Sequence, residues 1–216
     1  QAAFFDFDLD GDLDMYLMRN SFVSYNRNNA REMKSDMETS STTDKLFRND
    51  GPVVSLPSGG RKGGFTDVSK EAGITIEGFG LGVAVCDINK DNWPDVYVSN
   101  DFITSDLVWI NNHDGTFSNK ANEYLRHQTY NAMGNDVADF NNDGKQDMVT
   151  ANWGAGSSTG FVGSVTTYLG DGAGSFAASI NYTLGDSTVP FNERYEICSG
   201  DFNGDTKLDI AIGTWK

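Results

Sequence analysis

Four short stretches of the chain carry oxygen-bearing side chains at one common spacing. They are Asp6-Phe-Asp8-Leu-Asp10-Gly-Asp12-Leu-Asp14, Asp87-Ile-Asn89-Lys-Asp91-Asn-Trp93-Pro-Asp95, Asp139-Phe-Asn141-Asn-Asp143-Gly-Lys145-Gln-Asp147 and Asp201-Phe-Asn203-Gly-Asp205-Thr-Lys207-Leu-Asp209. Side-chain oxygens fall at positions one, three, five and nine of each loop. Position seven (Asp12, Trp93, Lys145 or Lys207) offers its backbone carbonyl. An all-oxygen set of this size suits a hard cation that takes six to eight ligands in flexible geometry. That favours Ca²⁺ over the smaller Mg²⁺, which demands an octahedral shell and gives up its waters reluctantly. The chain thus has up to four candidate Ca²⁺ sites. The closing acid stands at position nine, not twelve, and the flanks are rich in β-branched residues, so these loops are not EF-hands.

The copies differ in ligand charge. The first has a carboxylate at all four side-chain positions and is the expected strongest site, whereas Asn89, Asn141 and Asn203 replace the acid at position three in the others. Position six calls for a left-handed backbone, which Gly11 and Gly144 adopt freely and Asn92 tolerates. Thr206 is β-branched and fits that conformation poorly, so the fourth loop is the weakest candidate.

The loops also explain the charge. The 216 residues hold 31 acidic and 16 basic side chains, a net charge of −15. Fourteen of the acids lie inside the loops, and outside them acids and bases stand at 17 against 16. The acidity is therefore mostly ligand charge. No basic excess exists for a nucleic-acid partner, and no run of about 18 apolar residues exists for a membrane span. The chain opens on Gln1 without a signal-peptide pattern, and the expectation is that an upstream part precedes it.

The loops must be positioned by strands. Gly82-Val-Ala-Val-Cys86 leads into the second loop and Val96-Tyr-Val-Ser99 leaves it, so each loop reads as the elongated turn of a hairpin. A third strand then ends in a glycine-bearing turn at Asn49-Asp50-Gly51, Asn111 to Gly115, or Gly170 to Gly174, and Phe65, Phe117 or Phe176 follows on a fourth strand. This repeat of four short strands predicts an all-β fold of propeller blades at residues 2–68, 80–118 and 132–181, with a partial blade at 194–214 and a polar insertion at 19–44. All belong to one domain, 1–216. Three blades and a half do not close a ring. In an antiparallel blade the insertion and the interblade stretches 69–79 and 119–131 lie on the face away from the metal loops. They are expected to form either a ligand surface or solvated loops, with one helical turn near residues 30–37.

These features resemble the FG-GAP or VCBS repeat of integrin-alpha-type β-propellers. Residues 1–152 resemble more specifically the repeat region of secreted proteins related to cartilage acidic protein. The carrying stretches are Lys45-Leu-Phe-Arg-Asn-Asp-Gly51, Phe65-Thr-Asp-Val-Ser-Lys-Glu-Ala-Gly73, Gly78-Phe-Gly-Leu-Gly82 through Asn100-Asp101, and Met133-Gly-Asn-Asp-Val-Ala-Asp139. Residues 160–216 are similar to the general FG-GAP repeat alone, through Tyr168-Leu-Gly-Asp-Gly172 and the fourth loop. The resemblance implies an extracellular, calcium-stabilised propeller, commonly of about seven blades, that serves adhesion or ligand display.

The remaining chemistry-bearing residues are few. Gly156-Ser-Ser158-Thr-Gly160 matches a nucleophile-elbow pattern but leads into a strand where the elbow needs a helix. His113 and His127 stand without a Cys or acid at metal spacing, and Cys86 and Cys198 fall in blades too far apart for a disulfide. No catalytic residue is assigned. Asn181-Tyr-Thr183 is a glycosylation sequon. The expected function is an extracellular, calcium-stabilised binding or adhesion module for a protein or glycan ligand, a building block of a larger assembly. Either the chain is a fragment of a longer propeller or neighbouring chains complete it, by self-association through the partial blade. The alternative is an accessory, carbohydrate-binding domain of a secreted carbohydrate-active enzyme.

Overall fold

The computed structural model describes residues 1–20, 43–58, 60–101, 105–125, 131–153, 156–157, 160–161, 163–184 and 196–213. Within them, period-two alternation of apolar residues yields short strands that pair with their sequence neighbours. The first sheet holds β1 (Ala2–Phe5), β2 (Asp14–Leu17) and β3 (Lys45–Asn49). A small hairpin of β4 (Val54–Ser55) and β5 (Arg61–Lys62) precedes the sheet's fourth strand, β6 (Phe65–Asp67). The second sheet runs in order through β7 (Gly80–Cys86), β8 (Asp95–Asn100), β9 (Leu107–Asn111) and β10 (Phe117–Asn119). A single helical turn, α1 (Ala121–Tyr124), leads to the third sheet. There β11 (Ala132–Ala138) and β12 (Asp147–Asn152) are separated by the hairpin β13 (Gly156–Ser157) and β14 (Gly160–Phe161) from β15 (Gly163–Gly170) and β16 (Phe176–Leu184). A two-stranded sheet of β17 (Glu196–Gly200) and β18 (Asp209–Gly213) ends the array.

The fold is thus all-β and propeller-like: among the described residues, three four-stranded antiparallel sheets and the two-stranded β17–β18 sheet stand beside the two small hairpins, with no closed ring. Each pairing in the main sheets is antiparallel between consecutive blade strands. The innermost strands β1, β7, β11 and β17 follow one another in space.

Two cores lie between the sheets, not within them. Phe5, Phe7, Tyr16, Leu46, Val96, Val98, Leu107, Trp109 and Phe117 pack between blades one and two. Ile88, Tyr97, Val108, Ile110, Met148, Tyr168 and Phe176 pack between blades two and three. Alternate residues of β8 and β9 therefore enter opposite cores, and every position of both strands is buried. A sheet covered on both faces reads as a continuous apolar run, as Leu107-Val-Trp-Ile110 does.

The interblade stretches are not free loops. Ala72 and Ile74 from residues 69–79, and Ala121 and Leu125 from residues 119–131, are buried in these cores. The sequence left these stretches as either a ligand surface or solvated loops; in the structure these apolar residues wedge between blades. The insertion at 19–44 falls mostly outside the described residues, as do the helical turn expected near 30–37 and His127. Its ends are fixed: Asn20 Nδ2 donates to the Gly80 carbonyl at 3.1 Å, and Arg19 N–H donates to Asp44 at 2.7 Å.

Candidate metal centre

All four loops fold on one hydrogen-bond plan, built from the acids the sequence singles out. The carboxylate at position one accepts the N–H of position five and of position six. Asp6 takes Asp10 and Gly11 (3.1 and 3.0 Å), and Asp87 takes Asp91 and Asn92 (3.0 and 2.8 Å). Asp139 takes Asp143 and Gly144 (3.0 and 2.7 Å), and Asp201 takes Asp205 and Thr206 (3.1 and 2.9 Å). The carboxylate at position five accepts the N–H of position seven, from Asp12, Trp93, Lys145 and Lys207 in turn. At position three, Asn89, Asn141 and Asn203 each accept the N–H of position five.

Two left-handed residues make the tight path. Position six has φ between +68° and +97° at Gly11, Asn92, Gly144 and Thr206. Position four is left-handed too, with φ of +58° at Leu9, +62° at Lys90, +58° at Asn142 and +79° at Gly204. The sequence marks position six through its glycines, but position four is left-handed despite Leu and Lys, because the position-one carboxylate holds the N–H groups of the next two residues.

Position nine does more than close a loop. One oxygen of Asp14, Asp95, Asp147 and Asp209 accepts the N–H of position two, from Phe7, Ile88, Phe140 and Phe202, at 2.9 to 3.1 Å. The other oxygen of Asp14, Asp95 and Asp147 accepts an N–H at the end of the third strand, from Asn49, Asn111 and Gly170, at 2.8 to 2.9 Å. These three carboxylates are fully buried, and desolvation pushes Asp14 and Asp95 up to about 6. The two-stranded sheet has no third strand among the described residues, so Asp209 keeps the first bond and stays half-exposed. The sequence signalled the ligand role of position nine but not this latch.

The loops differ in what fills their centres. In loop one, Asp6, Asp8 and Asp14 each bring a carboxylate oxygen within 4.8 Å of the others. Asp8 Oδ1 and Asp12 Oδ1 are buried without a donor. Desolvation, then the charges of Asp10 and Asp6, raise Asp8. Converging carboxylates, with Asp8 Oδ1 left without a donor, are an oxygen set a hard divalent cation satisfies, so these residues fit Ca²⁺. In loop two, Asp91 Oδ2 accepts from Asn89 Nδ2 at 2.7 Å and meets His113 Nε2 at 2.8 Å, with the His113 ring stacked on Trp93 at 4.8 Å. The sequence leaves His113 unpaired; the turn before β10 swings it onto the loop. In loop three, Asp143 Oδ2 holds Asn141 Nδ2 and Lys145 Nζ at 3.3 and 3.2 Å. Lys90 Nζ donates to the Gly144 carbonyl and ties loops two and three together.

A second repeated acid lies at the opposite end of the blades. Asp44 accepts Tyr16 O–H at 2.7 Å and Asp106 accepts Tyr97 O–H at 2.7 Å. Each also accepts a backbone N–H from the end of the second strand, Arg19 or Asn100. All four side chains are buried, and desolvation lifts Asp44 to about 6 and Asp106 to about 7. The signal was present as Asp-x-Tyr at the end of the loop and an Asp immediately before the third strand. By the pairing register, Val149 and Val165 replace the pair in blade three. Asp106 also lines a cavity of about 240 Å³ with Ile76, Ser105, Leu107 and Asn119.

The other candidates resolve simply. Gly156–Ser157 and Gly160–Phe161 pair as a hairpin and not as a strand-to-helix elbow, while Ser158 and Thr159 lie outside the described residues. Cys86 and Cys198 are free thiols. Asn181 is exposed on β16, its Oδ1 accepting from Thr166 Oγ. No helix among the described residues is long and apolar enough to cross a membrane.

No curated protein matches the chain. Residues 87–150, from the first ligand of loop two through loop three and into β12, match the family model of the FG-GAP-like repeat. That stretch contains two of the four loops built on one hydrogen-bond plan, and repeats of this family occur in extracellular, adhesion-type and propeller domains.

Proposed function

We propose that this chain is an extracellular binding or adhesion module whose blades are pinned by Ca²⁺ at the acidic loops between their first and second strands. The observation that carries the reading is loop one, where three carboxylates converge and two buried oxygens lack donors. Asp6, Asp8, Asp10 and Asp14, with the Asp12 carbonyl, would hold the ion there. The corresponding residues of loops two to four would do so with one carboxylate fewer. The ion supplies charge neutralisation and fixes the loop, and the chain itself is assigned no catalysis. The ligand, a protein or glycan, would meet the face away from the loops, where the cavity at Asp106 opens between blade two and the interblade stretches that bring Ile76 and Asn119. The two-stranded sheet is the place for a further strand to add.

Calorimetric titration of chelator-stripped protein with Ca²⁺ tests the metal part. Binding with at least one site, lost in Asp6→Ala combined with Asp8→Ala, is expected, and melting should rise by several degrees on saturation, since an ion bound to the native state stabilises it by mass action. Equal melting curves with chelator and with Ca²⁺ would overturn it. Capture of glycan or protein ligands on arrays, blocked by charge substitutions at Ser105 and Asn119, tests the ligand face.

A further inference from the structure

We infer that the side chain of Asp12, and not its carbonyl alone, binds the cation of loop one. It makes that loop the tightest of the four and the one that most favours a trivalent over a divalent ion. The inference rests on the Ca²⁺ reading above and extends it to a position where the other loops place no carboxylate.

The loops differ most in the side chain at position seven. In every loop this residue gives its N–H to the position-five carboxylate, so its side chain leaves the backbone beside that acid. Loops two and three use the nearness to bring a donor to position five. Lys145 Nζ reaches Asp143 Oδ2 at 3.2 Å. The Trp93 ring stacks on His113, whose Nε2 meets Asp91 Oδ2 at 2.8 Å. Loop four carries Lys207 at the same position. In loop one the residue is Asp12, a second acid beside Asp10.

No protein group answers that acid. Asp12 Oδ1 is buried with no hydrogen-bond partner, as is Asp8 Oδ1. Arg48 of β3 and Thr66 of β6 both donate to Asp50 instead. Desolvation, then the charges of Asp10, Asp8 and Asp6, and last that of Asp50, raise Asp12. Its carboxylate is therefore coupled more strongly to the ligand acids of its own loop than to the turn after β3. A buried carboxylate oxygen without a donor is costly unless a cation meets it. An oxygen already enclosed is closed to a bulky ammonium or guanidinium group, whereas a monatomic ion inside the loop reaches it.

The charge count then separates loop one from the rest. With Asp12 it has carboxylates at five positions, 6, 8, 10, 12 and 14, and each of the other loops has three. Ligand charge tunes affinity among oxygen sites of similar build. Every added unit of cation charge gains more against five carboxylates than against three, which favours a trivalent ion.

Titration of the chelator-stripped chain with Ca²⁺ and with Tb³⁺, for the parent, Asp12→Ala and Asp12→Asn, tests this. Tb³⁺ luminescence lifetimes in H₂O and D₂O, taken below one ion per chain, count the waters on the tightest-held ion. Asp12→Ala should weaken the tightest Ca²⁺ site at least about tenfold, weaken it further for Tb³⁺, and add about one bound water. Asp12→Asn keeps an oxygen and loses a charge, so affinity should fall with the water count unchanged. Both variants keep the backbone N–H that bonds Asp10, and in chelator they should melt no lower than the parent, since a like charge is gone. A purely structural Asp12 would lower that melting temperature and overturn the inference. An Asp12→Ala variant with the parent's tightest affinity and water count also overturns it, and leaves the Ca²⁺ reading standing. Loss of a weaker ion with the tightest site unchanged would give Asp12 to a separate ion, which overturns it as well. A parent chain that binds neither ion sinks the Ca²⁺ reading and this inference together.

Discussion

Asp95→Ala separates the latch role of position nine from its ligand role. One Asp95 oxygen accepts the Ile88 N–H at 2.9 Å and the other accepts the Asn111 N–H at 2.9 Å, and the carboxylate is fully buried. Truncation leaves two buried N–H groups without acceptors. Hydrogen bonds to charged groups contribute about 1.5–3 kcal/mol each, so the loss is about 3–6 kcal/mol with no ion in the calculation. Asp209→Ala is the internal control. Its carboxylate is half-exposed and accepts one loop N–H, at 3.1 Å, which water can replace, so its loss is about 1 kcal/mol. Urea unfolding of both variants and the parent in excess chelator, above pH 7 so that the carboxylates are ionised, measures the difference. In chelator Asp95→Ala should shift the midpoint several times further than Asp209→Ala. Equal shifts, or an Asp95→Ala effect that appears only with Ca²⁺, would show that position nine acts through the metal alone and refute the latch.

Three further outcomes are expected. Desolvation raises Asp106 to about 7, so the folded chain keeps a proton that the unfolded chain sheds near the ordinary value of 3.8. The stability this proton contributes is complete below pH 3.8 and is lost as pH rises to about 7, with a slope of at most about 1.4 kcal/mol per pH unit. Asp106→Asn keeps an acceptor for the Asn100 N–H and should flatten this part of the urea midpoint's pH dependence; an unchanged slope counts against the assignment. Thr206→Gly should stabilise the last loop by up to about 1 kcal/mol, because Thr206 holds φ at +69°, which glycine adopts without strain; a lower melting temperature would contradict this. Gly170→Ala should destabilise by about 2 kcal/mol or more, since a Cβ there meets the Gln146 carbonyl oxygen at 2.0 Å, whereas Gly11→Ala, at φ +97° in open space, should lose about 1 kcal/mol. Thermal melts of the two glycine variants that rank in the opposite order would refute the steric argument.

How much was legible varies with the range of the interaction. The carboxylate spacing is a local property, because the groups that bind Asp6 or Asp87 lie four and five residues along the chain. The strand pattern is local as well, and it gave the class of fold and the repeat. Lys145 and Trp93 were assigned through their carbonyls at position seven, and their N–H groups do bond back to Asp143 and Asp91. The packing role of the interblade segments was not legible, because Ala72, Ile74, Ala121 and Leu125 sit among polar residues, yet the gap between two twisted sheets needs apolar filling.

The sequence by itself determined the all-β class, the four acidic loops, their order of ligand charge and the left-handed sixth position. Each follows from residue type and short spacing, through side-chain oxygens, φ restrictions and alternation. Tertiary structure alone decided that Asp14, Asp95 and Asp147 latch a third strand, and that Tyr16 and Tyr97 close on Asp44 and Asp106. It also brought His113 to Asp91. Those contacts join residues from about ten to 35 positions apart in sequence, and blade stacking joins residues farther still, as when Asn111 reaches the Phe7 carbonyl. No local pattern encodes such distances, because burial between neighbouring sheets sets both the partner and the strength of each bond.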